Sequence, residues 1–252
     1  MQQATVEGDR VAPGDNHSRT SVGVSLLNGF ELRHEERVVS MPLSVQRLVA
    51  FVALRERPIR RAFVAGSLWP DASESHAAAS LRTALWRLHP IDWNPVLTTR
   101  SHLATAPWVV VDVREVEELA SRLTHEPDAS PLNDSAVRAF ASDLLPDWYD
   151  EWVIVERDRF RELRLHALIA LCAKLVDLGR WSRAIEAGQA AIAADPLRES
   201  GWSALIRAHF AEGNIGEAFR LHQSYQRRVI EELGVEPSQG FRDLIVLISG
   251  GA

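Results

Sequence analysis

The sequence predicts a mainly helical chain with small β elements, in which a unit of strands, three helices and a hairpin precedes an all-helical repeat. Two observations carry this expectation. Before residue 115, three apolar stripes at helical spacing, each stopped by a proline, lie between strand-like segments. Beyond Asp112, similar text recurs with a period of 34 residues.

From Val22 to Pro42 the pattern is strand-like: VSLLNGFELR breaks at Asn28-Gly29, and ERVVSMP follows a polar stretch. Ser44 is placed to cap the first helix, SVQRLVAFVALRER, whose stripe is Val45, Leu48, Val49 and Val52 and whose stop is Pro58. In IRRAFVAGSLWP, Arg60 and Arg61 open the second helix, Ile59, Phe63, Val64 and Leu68 are expected to face inward, and Pro70 is the stop. The third helix lies in SESHAAASLRTALWRLHP and runs from about Ser75 to Leu88. Its expected buried face is Leu81, Leu85 and Leu88, widened by Ala78 and Ala84. VLTTRSHLATAPWVVVDV then reads as a hairpin with its tip near Arg100 to His102 and a second arm leading through Pro107 into VVVDV. Strands, three helices and a hairpin in that order match a winged helix-turn-helix behind a small N-terminal sheet.

The second part reads as helical after Asp112. Gly179 and Gly213 are 34 residues apart, as are Ala184 and Ala218, and 34 is the period of the tetratricopeptide repeat. Taking Pro196 as a closing proline puts Trp202 and Leu205 at the first-helix tryptophan and leucine positions of such a repeat. The glycines fall in inter-helix turns, where left-handed backbone costs them little. Residues 21–114 are therefore assigned to the winged unit and 115–252 to the repeat unit. Residues 1–20 are polar, lack the apolar core of a signal peptide, and are read as a disordered tail.

Charge separates the two parts. Residues 20–115 carry 11 Arg against 9 acidic residues, whereas residues 116–252 carry 15 basic and 22 acidic ones. The net charge of −6 thus belongs to the second part and does not argue against a polyanion partner for the first. The single cysteine, Cys172, lies in an apolar helical run and reads as a buried thiol, so neither a disulfide nor a multi-Cys zinc site can form within the chain. No phosphate-cradling loop, nucleophile elbow or HExxH is present, and His209 and His222 do not make a metal pair. Alternating carboxylates and arginines in EVEELA and VERDRFREL read as a solvated, ion-paired helix surface. Enzymatic activity, a metal and a cofactor are not expected, and a cytoplasmic location is the simplest.

The third helix has a second face. Ala79, Arg82, Thr83 and Trp86 point away from the expected core, with Arg87 and His89 beside them. Arg can pair with guanine, a Thr methyl can touch a thymine methyl, and Trp86 can pack on sugar or base edges. The helix N-terminus could also favour phosphate. Arg60 and Arg61 before this helix and Arg100 on the hairpin tip supply phosphate contacts from two further elements. The alternative is a solvated helix back with one stray tryptophan.

The span from about Val24 to Ile248 resembles the SARP family, the antibiotic regulatory proteins of Streptomyces and relatives. The resemblance rests on LSVQRLVAFVAL, VAGSLWPD and AAASLRTALWRL, and then on LLPDWYDEW, ERDRFRELRLHAL, DPLRESGW and EELGVEPSQGFRDL. It implies a winged helix similar to response-regulator output domains, joined to a helical bacterial transcriptional activation domain. It further implies activation of specialised-metabolite gene clusters. Protomers would bind side by side, as a homodimer on promoter direct repeats of double-stranded DNA, and recruit RNA polymerase, its sigma subunit included. Ser80, Thr83 and Arg87 fall at DNA-contacting positions by that resemblance, and Arg100 at the wing; Ala79, Trp86 and His89 depart from it. The DNA-binding set is then Arg60, Arg61, Ser80, Arg82, Thr83, Trp86, Arg87 and Arg100.

No receiver, ATPase or kinase-binding module is read in the sequence, so phosphoryl or nucleotide control is not expected. The repeat unit could be a packing and polymerase-contact surface or hold a ligand or peptide groove. A different class also remains open: a helical-repeat scaffold whose winged helix binds protein.

Overall fold

A computed structural model describes residues 22–125 and 135–250. The proposed tail, residues 1–20, lies outside them. The expected architecture is the one found, mostly helical with small sheets at the N-terminal end. The first part runs β1 (Val22–Ser25), β2 (Glu31–His34), β3 (Arg37–Val38), α1 (Leu43–Ala53), β4 (Ile59–Arg60), α2 (Arg61–Leu68), α3 (Glu74–Leu88), β5 (Val96–Thr98), β6 (His102–Thr105) and β7 (Val109–Val111). The second runs α4 (Asp112–His125), α5 (Ser135–Ala141), α6 (Glu151–Asp177), α7 (Trp181–Ala194), α8 (Glu199–Glu212), α9 (Ile215–Leu233) and α10 (Gln239–Gly250).

β1 and β2 form a hairpin through Asn28 and Gly29, both at positive φ, which these two residue types tolerate best. β5 and β6 form the expected second hairpin. Its predicted continuation is corrected: β7 leaves the hairpin and pairs in parallel with β1, Val22 opposite Val109, closing the sheet β3-β2-β1-β7. The third strand beside the hairpin is β4 instead, so Ile59 and Arg60 form a strand and Arg61 alone begins the helix. An apolar run such as VVV says that it will be buried in a sheet but not in which one.

Two further corrections concern α1 and α2. Pro42, not Ser44, holds the N-cap position of α1, because proline's fixed φ suits a helix entrance. Phe63 is 56% exposed, although Val64 and Leu68 are buried as expected. Asp112 ties the sheet to α4. Its carboxylate accepts from the amides of Leu26 (2.9 Å), Leu27 (3.1 Å) and Val113 (2.7 Å). Burial raises its pKa above the ordinary aspartate value, outweighing the amides that lower it.

In the second part the 34-residue register is physical. Gly179 and Gly213 both take left-handed backbone, at φ 68° and 88°, in the turns α6–α7 and α8–α9. Ala184 and Ala218 are fully buried, Leu205 is buried, and Trp202 donates from Nε1 to Pro196 O at 2.9 Å. Cys172 is buried, and desolvation pushes its thiol up to about 12, as befits an inert core residue. Helices α7 and α8 approach closely at Gly188, where a Cβ would lie 3.0 Å from Leu205 Cα. Gly188→Val is therefore expected to lose about 1–3 kcal/mol of stability by overpacking, read from urea midpoints. A midpoint equal to wild type would mean that the α7–α8 contact has slack.

The two parts share one apolar core running from Val22 to Ala208. Across the join, Leu145 N donates to Leu26 O (2.9 Å) and Asn28 N to Asp143 O (2.7 Å). Phe51 of α1 meets Trp152 of α6 edge-on, ring centroids 5.1 Å apart. Arg47 pairs with Asp150, and Arg55 with Glu156 at 2.7 Å. The solvated, ion-paired surface expected of VERDRFREL is found where Arg159 pairs with Glu156 and Arg161 with Asp158, each at 3.8 Å, and is corrected at Arg157. Arg157 turns inward and donates to the carbonyl oxygens of Leu144 (3.0 Å) and Trp148 (2.8 Å), while buried Arg164 donates to Ser142 O at 2.6 Å. The loop before α6 has backbone oxygens to satisfy, and these guanidinium groups satisfy them.

Candidate nucleic-acid interface

α3 begins where Ser73 Oγ accepts from the His76 amide (3.4 Å), and Glu74 occupies its first turn. A phosphate at this N-terminus, one of the sequence expectations, is disfavoured, since the serine cap and the carboxylate already answer the dipole. The buried face is Ala77, Leu81, Ala84 and Leu88. Ala77 replaces the predicted Ala78 on the buried face, and Leu85 is half-buried.

Opposite that face lie Ala79, Thr83 and Trp86, the indole 73% exposed. Thr83 Oγ1 donates to Ala79 O at 3.1 Å. Arg87 flanks this line on the α1 side, its Nη1 3.4 Å from Ser44 Oγ, and Ser80 is half-exposed about two helical turns before it. Arg82 flanks it on the hairpin side. There Arg82, Trp86 and His89 line a groove of about 430 Å³ with Leu97, Thr98 and Trp108.

Arg61 binds the hairpin tip twice, its amide to Ser101 O (2.9 Å) and its Nη1 to Thr99 O (3.3 Å), and it also lines the groove. Arg60, paired with His102 across the sheet, and Arg100 at the tip are both exposed. Among the described residues, none of Arg60, Arg61, Arg82, Arg87 and Arg100 has a carboxylate within ion-pairing distance. That contrasts with Arg47, Arg55, Arg164 and Arg198, which are each paired. Unneutralised guanidinium groups on α3 and on the elements next to it in the chain form a surface suited to a polyanion. One carboxylate, Asp92, lines the same groove as Arg61 and Arg82, and Asp71 and Glu74 are exposed just before and at the start of α3.

Sequence reasoning missed Trp108, 46% exposed, and Leu97, 42% exposed, which form the hairpin wall of the groove. A signal was present: Trp108 follows a proline just before an apolar strand, where a large ring has no core position to fill. Two other hollows lie away from this face. One of about 960 Å³ sits where α1 and α2 meet the start of α6, beside the Arg47–Asp150 pair, with Phe63 and Val155 on its rim. Another of about 690 Å³ runs between α6, α8 and α10, lined by Ile169, Val176, Phe210, Leu244 and Arg207. The described residues hold no cluster of three or more metal-ligating side chains, and no helix among them is long and apolar enough to cross a membrane.

Residues 111–248 match the family model described as the bacterial transcriptional activator domain, which covers more than half of the chain. The chain is 28% identical over 213 residues to the regulatory protein AfsR of Streptomyces coelicolor. That match takes in 78% of this chain but 21% of AfsR, so the chain spans about a fifth of the length of that relative. Among solved structures it superposes on EmbR of Mycobacterium tuberculosis, determined in complex with a low-affinity phosphopeptide, with a TM-score of 0.72 and 18% identity. The superposition covers 91% of this chain and 65% of that one, and at this identity it speaks for the fold alone.

Proposed function

The chain belongs to the family defined by the bacterial transcriptional activator domain and is a SARP-type transcriptional regulator, and from that premise we propose that it binds promoter DNA in a sequence-specific way. In this reading residues 21–114 read the duplex. α3 lies in the major groove and the β5–β6 hairpin against the backbone; Arg60, Arg61 and Arg100 meet phosphates, and Ser80, Arg82, Thr83, Trp86 and Arg87 meet base or sugar edges. Residues 115–252 form the activation unit, which contacts RNA polymerase, its sigma subunit included. Protomers bind side by side on direct repeats upstream of a specialised-metabolite gene cluster, in the cytoplasm at the nucleoid.

One observation carries the proposal. Five arginines from β4, α2, α3 and the hairpin tip have no acidic partner among the described residues, and Arg61 and Arg82 line one groove beside α3, while Arg47 and Arg55 at the join between the two parts are paired. The direct test is to immunoprecipitate the tagged protein from its host and sequence the bound DNA. Sharp peaks upstream of a few genes, sharing a direct repeat, are expected. Abundant protein with no enriched DNA would instead favour the scaffold alternative, with the winged unit binding protein.

A further inference from the structure

Along the side of α3 opposite its buried face, the line Ala79–Thr83–Trp86 offers mostly apolar surface. Ala79 offers a methyl group. Thr83 has its hydroxyl hydrogen committed to Ala79 O at 3.1 Å, so that this exposed side chain has no donor left to offer and carries a methyl group beside its oxygen. Trp86 adds a 73% exposed indole whose single polar atom has no partner among the described residues. The polar side chains that could read bases by hydrogen bonds, Arg82 and Arg87, stand to either side of this ridge and not on it.

The bulkiest apolar group that the major groove presents to a protein is the C5-methyl of thymine, which 5-methylcytosine shares; most other features of its floor are donors or acceptors. A helix whose crest is apolar leaves those donors and acceptors unpaired wherever it presses on them, and that costs affinity. The same crest gains when it covers a methyl group. Thr83 and Trp86 are separated by about 4.5 Å along the helix axis. The base step is about 3.4 Å. They can therefore reach pyrimidines one or two steps apart.

Resting on the DNA-binding reading above, we propose that the Ala79–Thr83–Trp86 ridge is a pyrimidine-methyl reader, so that the base pairs directly beneath this ridge are specified by C5-methyl groups, while hydrogen-bonded base contacts come from Arg82 and Arg87 on its flanks. Trp86 is the specificity-determining residue of the ridge.

The test starts from duplexes that the full chain selects from a random library. Each thymine of the selected site is replaced singly by deoxyuridine, which removes the methyl and nothing else, and Kd is read by fluorescence anisotropy. One or two thymines, one or two steps apart, are expected to show about fourfold weakening, the equivalent of one buried methyl group. Trp86→Ala, which should melt like wild type because its side chain is exposed, is expected to bind the dT and dU duplexes at one of these positions equally. Thr83→Ser, which keeps the hydroxyl and removes the methyl, is expected to do the same at the other.

A second arm replaces a sensitive T·A pair by C·G or by 5-methylcytosine·G. Tighter binding of the methylated pair assigns the site to any C5-methyl, and equal binding confines it to thymine. Uniform Kd values across all dU duplexes, or a dU penalty that persists in both variants, would overturn the proposal while leaving DNA binding intact. Failure to select any duplex would remove the DNA-binding reading, and this one with it.

Discussion

Alanine at Arg82, Arg87 and Arg100 together is expected to weaken duplex binding by about two to four orders of magnitude, at roughly 1–3 kcal/mol for a base contact and less for each phosphate contact. The structure makes this an interpretable experiment. All three side chains are exposed and without ion pairs among the described residues; their one internal tie is the 3.4 Å contact from Arg87 to Ser44. Their loss should leave the melting temperature unchanged. Arg61 is left out of the set because it holds the hairpin tip through Thr99 O, so its removal would mix folding with binding.

Titration against KCl adds a second reading, since the slope of log K on log salt should fall by about one for each arginine that meets a phosphate. Alanine at Arg207 and Arg227, exposed arginines of the second part, is the charge control and should change neither quantity. An unchanged salt slope in the triple variant would mean that the polyanion-binding face lies elsewhere.

Trp152→Ala is expected to cost about 3–5 kcal/mol, the usual loss for truncating a buried aromatic side chain. Trp152 is 9% exposed and meets Phe51 at 5.1 Å and Trp148 at 6.2 Å, both edge-on. It therefore joins α1 to the first turn of α6. Because the two parts share one core, wild type and variant should each unfold in a single transition by urea, with coincident tryptophan fluorescence and circular dichroism. Two separated transitions in the variant would show that the two parts fold independently and that the join is secondary.

Helices proved more legible than their edges. The stripes of α1 and α3 and the prolines behind them placed the first three helices, because burial on a helix leaves a periodic trace. The 34-residue spacing of Gly179 and Gly213 located two turns, because both positions need a left-handed backbone that glycine takes most readily. Partners set by distant chain left no trace. The sheet that takes β7 is decided by β1, far back in the sequence. Arg157 and Arg164 have the spacing of a solvated surface but answer carbonyl groups of the preceding loop. At the candidate interface the outward residues of α3 were readable from the same period that gave its core. The hairpin wall was not, because Leu97 and Trp108 come to share a groove with Arg82 and Trp86 only in the folded chain.

Strand β7 ends at Val111 and α4 begins at Asp112, so no hinge separates the end of the winged unit from the first helix of the other. Asp112 binds back to the end of β1, and aromatic rings and ion pairs fill the seam. The seam acts as a weld, and the protein is a bracket with a set angle. With α3 seated in a groove as proposed, the compass direction in which the helical body stands out from the duplex axis would be decided. Genes under such a regulator would then be governed by helical phase as well as by distance. A few base pairs inserted between operator and promoter would turn the body to the far side of the duplex, and a full turn of about 10.5 base pairs would bring it round again.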